Sequence, residues 1–256
     1  MNLLQAVILG LVEGITEFLP ISSTGHLMLS GSLLGLAKTE FLKSFEIAIQ
    51  LGAIGAAAVL YWRTVFTNWE AIKRIIVAFI PTGILGLLFY KIIKTYLLDS
   101  NAVVLGSLLV GGAGLIIFEL WRREREGSIK DLAKLTYPQA LLIGLFQSVA
   151  MIPGISRSAA TIVGGLILGI SRAAIVEFSF LLAIPTMAAA TGFDLFKNIH
   201  LFSSSQLNFL IVGFVTAFVA AIIAIKFLLK FIQNHTFIPF GIYRIIIALA
   251  FLVFLL

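Results

Sequence analysis

The chain has 256 residues, of which 60% are hydrophobic and 12% charged, and its mean hydropathy is +1.10. It has no cysteine, which excludes disulfides, thiol catalysis and thiolate metal ligands. The net charge of +6 does not indicate nucleic-acid binding, because the basic residues lie in loops between apolar segments rather than on one soluble face. The composition predicts a polytopic α-helical membrane protein.

The first predicted element is an apolar stretch over residues 3–36 that is too long for one helix. It is interrupted at Pro20 and by the hydroxyl residues that follow. Inside a membrane, such a nonhelical turn is tolerated only where it is buried in protein or lines a cavity. We therefore predict a re-entrant hairpin of two helices here, and a second one over residues 138–170, broken at Pro153.

Apolar runs that are long enough to cross a bilayer, about 20 residues each, follow both hairpins. We predict one membrane domain over residues 1–256, in which each half carries three spans and a basic cytoplasmic linker joins the halves. The halves are residues 1–121 and 137–256, and the linker is 122–136. The six predicted spans are approximately 45–62, 75–93, 102–121, 174–192, 207–229 and 237–256.

The two halves also resemble each other in sequence. Residues 5–10 align with residues 139–144, and small shifts place Ser23 on Ser156 and Thr24 on Arg157. Since three spans is an odd number, the second half must insert upside down. We predict an all-α inverted repeat, in which interrupted stretches at matching positions indicate a binding site near the bilayer midplane.

The loop charges predict which ends of the spans face the cytoplasm, where Lys and Arg are in excess. One side collects twelve basic residues and the other five, so we assign the first side to the cytoplasm and both termini to the outside. The twelve are Arg63, Lys73, Arg74, Arg122, Arg123, Arg125, Lys130, Lys134, Arg172, Lys226, Lys230 and Arg244; the five are Lys38, Lys43, Lys91, Lys94 and Lys197.

Two glutamates, Glu13 and Glu17, lie four residues apart in the first hairpin. On an α-helix this spacing puts both carboxylates on one face, one turn apart. Such charges repel in a low dielectric unless a cation or basic group lies between them, and ionisable groups inside a membrane are functional candidates. A divalent metal, a shared proton or a cationic partner would meet this need. Magnesium or calcium would be bound by the carboxylates together with phosphate oxygens and water.

Three hydroxyl residues, Ser22, Ser23 and Thr24, follow the break at Pro20 and are typical of an N-cap that begins the returning helix. A helix N-terminus also offers free N–H groups and a positive dipole end to an anion. His26 lies in the first turn of that helix, within reach of the hydroxyls as a base, an acid or a hydrogen-bond donor. Capping and phosphate binding are compatible here.

The second motif, residues 153–158, repeats this pattern and adds a cation. Its Arg157, next to Ser156, offers a planar fork of donors that fits phosphate oxygens. Gln147 replaces Glu13, so the two halves differ in charge. One tip is predicted to carry acid and base chemistry and the other to hold an anion, which together form a site for a phosphorylated ligand.

Segments 13–26 and 153–158 strongly resemble the two signature regions of the undecaprenyl-diphosphate phosphatase family, the bacitracin-resistance proteins. The resemblance includes residues 45–52, 177–185 and 237–244, and so runs end to end. It implies hydrolysis of undecaprenyl diphosphate, a C55 lipid substrate, to the monophosphate that carries peptidoglycan precursors. It also implies a location in the bacterial inner membrane, with the site open to the outer side.

The resemblance assigns roles to residues by matching position. Magnesium or calcium would be held by Glu13 and Glu17. The residues assigned to catalysis are Glu13, Glu17, Ser23, His26 and Arg157, and those assigned to the substrate are Ser22, Thr24, Ser156, Arg157 and, more weakly, Gln50. The weaker candidates Glu46 and Glu177 lie in the first turns of spans, where the helix dipole favours a carboxylate in any case.

The sequence leaves several alternatives open. The attacking group is Ser23, His26 or a metal-activated water, of which we favour Ser23 assisted by His26 or Glu17. Broken helices with carboxylates near the midplane are also the plan of cation-coupled transporters and would suit a lipid-phosphate flippase. Glycines such as Gly106 and Gly111 allow close helix packing and a homodimer, without identifying the partner.

Overall fold

The computed structural model describes residues 1–37, 39–97, 100–122, 128–198 and 206–255, and within them the fold is all-helical with no strand. A π-helical turn, Ile93–Leu97, and the 3-10 turns Leu132–Lys134 and Val149–Met151 complete it. The helices are α1 Leu3–Thr16, α2 Ser23–Leu33, α3 Glu40–Leu60, α4 Trp62–Thr67, α5 Trp69–Ile92, α6 Asn101–Trp121, α7 Tyr137–Ser148, α8 Arg157–Ile167, α9 Arg172–Asn198, α10 Leu207–Phe231 and α11 Ile238–Leu255.

Five of the helices are long and apolar enough to cross a membrane, as expected for a polytopic membrane protein. They are α3, α5, α6, α9 and α10, at positions close to five of the predicted spans. The predicted sixth span corresponds to α11, which is apolar but shorter within the described residues. The short helix α4 was not predicted.

Both predicted hairpins form, and each is tied at its open end by a glutamine. Gln5 completes a capping box with Asn2 at the start of α1 and donates to the carbonyl of Leu34, just after α2, at 3.2 Å. Gln139 completes a capping box with Thr136 at the start of α7 and donates to the carbonyl of Leu168, just after α8, also at 3.2 Å. Because each glutamine joins the start of one helix to the end of the next, the second helix must run back beside the first.

The structure corrects the predicted alignment of the two hairpin tips. The backbone is left-handed at Ser22 and at Ser156, and each of these residues is the N-cap of a returning helix. Ser22 is therefore equivalent to Ser156, and Ser23 to Arg157. The one-residue shift was wrong because it followed the prolines, whereas α7 ends earlier than α1 and is continued by a 3-10 turn.

The two hairpins pack on helices of the opposite half. Helix α1 lies along α10, and α7 lies along α5. A second pair of contacts is related in the same way, since α3 packs on α10 and α5 packs on α9. Small residues allow the hairpins to approach closely, because a Cβ at Gly10 would collide with the backbone of α10 and one at Gly144 with that of α5.

Helices α6 and α11 pack against each other and support both hairpin tips. Gly25 of the first hairpin lies against Val104 and Leu108 of α6. Gly154 of the second hairpin lies against Val104 and Ser107, and its φ of +94° favours glycine. The same turn of α6 therefore contacts both tips and fixes their separation.

One of the predicted loop charges was placed wrongly. Arg244 was counted at the cytoplasmic ends of the spans, but its side chain is completely buried in α11. Among the other predicted loop charges, Lys38, Arg123 and Arg125 lie outside the described residues, as do the side chains of Lys94 and Lys197. The remaining loop charges stay a prediction of orientation.

We expect G10A and G144A each to destabilise the protein, by roughly 1–3 kcal/mol, because a methyl group would push a hairpin away from the span it packs on. The apparent unfolding temperature in detergent measures this. G31A is the matched control, since a Cβ at Gly31 meets nothing within 4 Å. An unfolding temperature for G10A equal to that of G31A would contradict the close packing.

Candidate active site

The two hairpin tips share an unusual backbone. Ser22 and Ser156, with φ of 71° and 77°, are the non-glycine residues with positive φ in the described part of the chain. Such conformations are rare for residues with a Cβ and concentrate at functional sites. Each serine accepts a hydrogen bond from the helix it caps, at Gly25 and Ala159 respectively. The residues that begin the two returning helices are consequently Ser23 and Arg157.

A buried contact between Glu17, Ser23 and Arg157 joins the tips. The Ser23 hydroxyl donates to Glu17 Oε2 at 2.6 Å, and the Arg157 guanidinium donates to Glu17 Oε1 at 3.3 Å. The structure thus brings Glu17 and Ser23 of the first motif together with Arg157 of the second. Glu17 is positioned to accept a proton from Ser23, while Arg157 supplies positive charge beside both.

Further bonds from the second tip hold this arrangement. Arg157 donates to the carbonyl of Ser179 at 2.8 Å, and its guanidinium lies 5.8 Å from the ring centre of Phe18. Ser158 donates to the carbonyl of Leu19 at 2.9 Å. Since Phe18 and Leu19 belong to the first tip, the second tip is docked on it by hydrogen bonds as well as by charge.

Glu13 is completely buried. With Glu13 and Glu17 both ionised, neither carboxyl oxygen of Glu13 has a hydrogen-bond partner, whereas a proton shared by the two groups would join them in a hydrogen bond. Among the described residues it is the only carboxyl group with a buried orphaned oxygen. The charged side chains near enough to interact electrostatically with Glu13 are Glu17, Glu46 and Arg157. Two of these are negative and one is positive, so Glu13 faces more negative than positive charge. A buried carboxyl group without a partner is costly, and a ligand is one way to satisfy it.

The equivalent residue in the other half, Gln147, has no such deficit. Its amide donates to the hydroxyls of Thr82 at 3.0 Å and Thr186 at 3.1 Å, and its oxygen accepts from Thr161 at 3.5 Å. The fold therefore satisfies an uncharged side chain at this position with its own groups. The unsatisfied carboxyl of Glu13 is a property of the first half alone.

His26 lies beside the cluster with both ring nitrogens occupied. Nδ1 is 2.7 Å from the carbonyl of Ser22, and Nε2 is 2.9 Å from the Tyr243 hydroxyl. A carbonyl only accepts hydrogen bonds, so Nδ1 carries the proton and Nε2 accepts from the tyrosine. No hydrogen bond joins either nitrogen to Ser23 in the described structure, whereas Glu17 is bonded to it directly.

The other predicted site residues are less closely involved. Ser156 is 3.1 Å from the Ser158 hydroxyl, and Thr24 is half-buried at the start of α2. Gln50 on α3 makes no hydrogen bond to the cluster in the part of the chain described. Of the two weaker candidates, Glu46 lies close enough to Glu13 for their carboxylates to repel each other, and Glu177 lies near the Tyr61 hydroxyl instead.

Sequence reasoning missed four residues that contact the site. Ser158 lies within the second motif, but its role in docking depends on a carbonyl far away in the chain. Tyr243 and Arg244 lie in the block 237–244 that carried the family resemblance, which was a usable signal. Ser179 contributes through its backbone carbonyl and lies in the resemblance block 177–185, which was a signal of the same kind.

The donor set suits a hard divalent cation that is shared with a ligand. Within the described residues, no cluster of three or more His, Cys, Asp or Glu side chains could bind a metal by itself. Magnesium is commonly held by one or two carboxylates together with substrate phosphates. Glu13, with two free buried oxygens, and Glu17 next to it fit that pattern.

Comparisons with known proteins identify the family of the chain. The family described as bacitracin resistance protein BacA matches residues 6–250. The chain belongs to this family. Together with its five apolar spans, BacA family membership makes it a multi-pass membrane protein.

Relatives named undecaprenyl-diphosphatase match the chain along its length. The protein from Sulfurihydrogenibium sp. (strain YO3AOP1) is 55% identical over 97% of this chain and 98% of its own. The proteins from Persephonella marina and Aquifex aeolicus are 53% and 51% identical, over 100% and 98% of both chains. The BacA family resemblance of the sequence motifs is confirmed.

We expect E13Q to keep or raise the apparent unfolding temperature in metal-free detergent and to lose the upward shift that magnesium gives the wild type. The reason is that the substitution removes a buried, unpaired carboxyl and with it a metal ligand. Magnesium at a concentration of a hundred times its Kd would raise the free energy of unfolding of the wild type by about 2.7 kcal/mol. Differential scanning fluorimetry with and without magnesium measures both effects.

The matched control is the opposite exchange, Q147E. It should lower the free energy of unfolding by roughly 1–3 kcal/mol, and with it the unfolding temperature. The Gln147 amide donates to the hydroxyls of Thr82 and Thr186, whose own protons bond to carbonyl groups, so these hydroxyls would not donate to a carboxylate in its place. If magnesium raised the unfolding temperature of wild type and E13Q equally, Glu13 would not be a metal ligand.

Proposed function

We propose that this protein is a membrane phosphatase that hydrolyses undecaprenyl diphosphate to undecaprenyl phosphate and inorganic phosphate. The relatives named undecaprenyl-diphosphatase support the reaction and the substrate. The single structural observation that carries the proposal is the contact of Glu17 with Ser23 and Arg157, beside the orphaned carboxyl of Glu13. It combines a nucleophile, a base, an anion-binding group and a candidate metal ligand.

In the proposed architecture, six spans and two re-entrant hairpins form an inverted repeat. The helix contacts support it. In an inverted repeat α1 corresponds to α7 and α10 to α5, so the contact of α1 with α10 has its counterpart in the contact of α7 with α5. The tips contact α6 at Val104, Ser107 and Leu108, which is within about 10 Å of the start of that helix. That end carries the outer charges in the predicted orientation, so the site would open to the outer side.

The proposed first step is attack by Ser23 on the terminal phosphorus. Glu17 accepts the proton of the Ser23 hydroxyl as the new O–P bond forms, and the bond from phosphorus to the bridging oxygen breaks. Undecaprenyl phosphate leaves, and water then cleaves the phosphoserine to regenerate the hydroxyl. The 2.6 Å bond from Ser23 to Glu17 supports Glu17, rather than His26, as the proton acceptor.

Phosphoryl transfer depends mainly on positioning and on neutralising charge. Arg157 would exchange part of its contact with Glu17 for the phosphate oxygens, and its unpaired Nε is a further donor. The Nε atoms of Arg172 and Arg244 are also unpaired, so the unpaired Nε of Arg157 is weaker support for a ligand site than the unpaired carboxyl of Glu13. Magnesium or calcium held by Glu13 and Glu17 would supply charge neutralisation when bound. Around the phosphates we place Ser22, Thr24 and Ser156, with Gln50 further out.

We further propose that the reaction takes place in the bacterial inner membrane and regenerates the lipid carrier for peptidoglycan synthesis. Bacitracin resistance fits this activity, because an enzyme that consumes the lipid diphosphate removes the form that accumulates outside. A homodimer stays a prediction. Of the glycines on α6, Gly111 and Gly112 lie against α11, whereas a Cβ at Gly106 or Gly114 would meet nothing within 4 Å.

The test is phosphate release from undecaprenyl diphosphate by purified protein in detergent, where no compartments exist. With magnesium present we expect one phosphate per lipid, and S23A should slow release by at least about a thousandfold. S32A, an exposed serine on the same helix, is the matched control and should keep the wild-type rate. A chelator should abolish the activity.

The same preparation in liposomes tests the rival function. A protein that releases no phosphate but moves lipid phosphate or cations across the bilayer would be a flippase or a transporter, and the phosphatase proposal would fail. Wild-type activity in S23A would leave the phosphatase standing and remove Ser23 as the nucleophile.

A further inference from the structure

Two consecutive residues of α11, Tyr243 and Arg244, contact opposite halves of the site. Tyr243 bonds to His26 in the first hairpin, and Arg244 bonds to the backbone of the second hairpin tip. Neither residue belongs to a hairpin, and the proposed chemistry uses neither. Because they are neighbours on one helix, their separation is fixed by the backbone of α11.

Arg244 is bound entirely by carbonyl groups. Its Nη1 donates to Ile155 at 2.9 Å, and its Nη2 donates to Gly154 at 2.9 Å and to Ser107 at 3.0 Å. Its side chain is completely buried, and no carboxylate pairs with it among the described residues. Buried guanidinium groups are normally paired with an acid. Here the positive charge is instead compensated by the backbone of one particular turn.

That turn leads directly into the anion-binding group. Gly154 and Ser156 both have positive φ, of 94° and 77°, and Arg157 follows at once. A backbone with two left-handed residues in three leaves carbonyls that the returning helix cannot satisfy. Arg244 satisfies two of them, so it holds the conformation on which the direction of Arg157 depends.

The space for Arg244 is provided by a glycine. A Cβ at Gly111 of α6 would collide with the guanidinium group, and Gly112 beside it lies against the backbone of α11. Gly114, one turn further along, meets nothing within 4 Å. A methyl group at 111 would therefore displace the guanidinium without changing Arg244 itself, and a methyl group at 114 would not.

Tyr243 acts on the first hairpin. Its ring stacks on His26, with centroids 5.5 Å apart and planes 5° apart, and its hydroxyl donates to Nε2. Nδ1 donates to Ser22, the left-handed residue equivalent to Ser156. Tyr243 thus fixes the orientation of the ring, and the Ser22 carbonyl fixes the proton on Nδ1.

We propose that Tyr243 and Arg244 form a positioning element that aligns the two halves of the site, Tyr243 by orienting His26 and Arg244 by holding the turn that precedes Arg157. The proposal rests on the phosphatase function proposed above. It assigns different roles to the two residues, since His26 holds the carbonyl of Ser22, next to the attacking Ser23, whereas Arg157 binds the diphosphate. The two substitutions should therefore affect different kinetic constants.

For Tyr243 we expect Y243F to lower kcat by about tenfold, with KM within twofold, because a small misplacement of the backbone beside Ser23 slows the chemical step. Y137F is the matched control, because Tyr137 packs its ring on Arg74 and makes no contact with His26. Y137F should keep the wild-type kcat. Equal kcat values for Y243F and wild type would overturn the role of Tyr243.

For Arg244 we expect R244M to raise KM roughly tenfold or more through the loss of charge-assisted hydrogen bonds, and R244K to recover part of that loss. G111A should raise KM like R244M, whereas G114A should behave like the wild type. Gel filtration and the unfolding temperature identify variants that do not fold. If R244M does not fold, G111A tests the same contact without changing Arg244. A folded G111A and R244K with wild-type KM would overturn the role of Arg244.

A readout without substrate separates this proposal from the phosphatase function. In protein labelled with ¹⁵N-histidine, with the His26 signals identified by their loss in H26Q, we expect Nδ1 to be protonated and Nε2 to change its shift in Y243F. This result would stand even if the wild type released no phosphate. An Nε2 shift that is the same in Y243F and the wild type would contradict the Tyr243 contact, while normal phosphate release would leave the proposed function intact.

Discussion

The site depends on one buried contact, in which Arg157 from the second hairpin reaches Glu17 of the first. The side chains of both residues are at most 10% exposed, so the pair is largely removed from water. Burying two charges is favourable only when further hydrogen bonds satisfy them. Ser23 and the Ser179 carbonyl supply such bonds, and the left-handed caps at Ser22 and Ser156 place both partners at the start of a helix. The packing of α6 and α11 beneath the tips keeps these groups within reach.

The two hairpins resemble each other in the features that build their tips. The capping boxes, the glutamine ties and the left-handed serines occur in both halves. The candidate functional residues do not occur in both. Gln147 is satisfied by threonines where Glu13 is not satisfied, and Arg157 stands where the other half has Ser23. The shared features build the tips, and the differences between the halves give one tip its acid and the other its cation.

Much of this could be predicted from the sequence because the signals are local. A proline followed by hydroxyl residues predicted each turn, and apolar runs predicted the five spans. Two errors came from interactions that are not local. The alignment of the tips depends on the backbone at Ser22 and Ser156, which the positions of the prolines do not reveal. Arg244 looked like a loop charge because its partners at Ser107, Gly154 and Ile155 are about a hundred residues away.

The central claim is that the two tips form a single site for a metal-bound diphosphate. The most direct measurement is an experimental structure of the protein with magnesium and a methylene-bridged, non-hydrolysable isoprenyl diphosphonate. The account predicts the terminal phosphonate between Ser23 and Arg157, the metal on Glu13 and Glu17, and His26 still bonded to Tyr243. A diphosphonate bound elsewhere, with Arg157 still on Glu17 and no metal at Glu13, would contradict it.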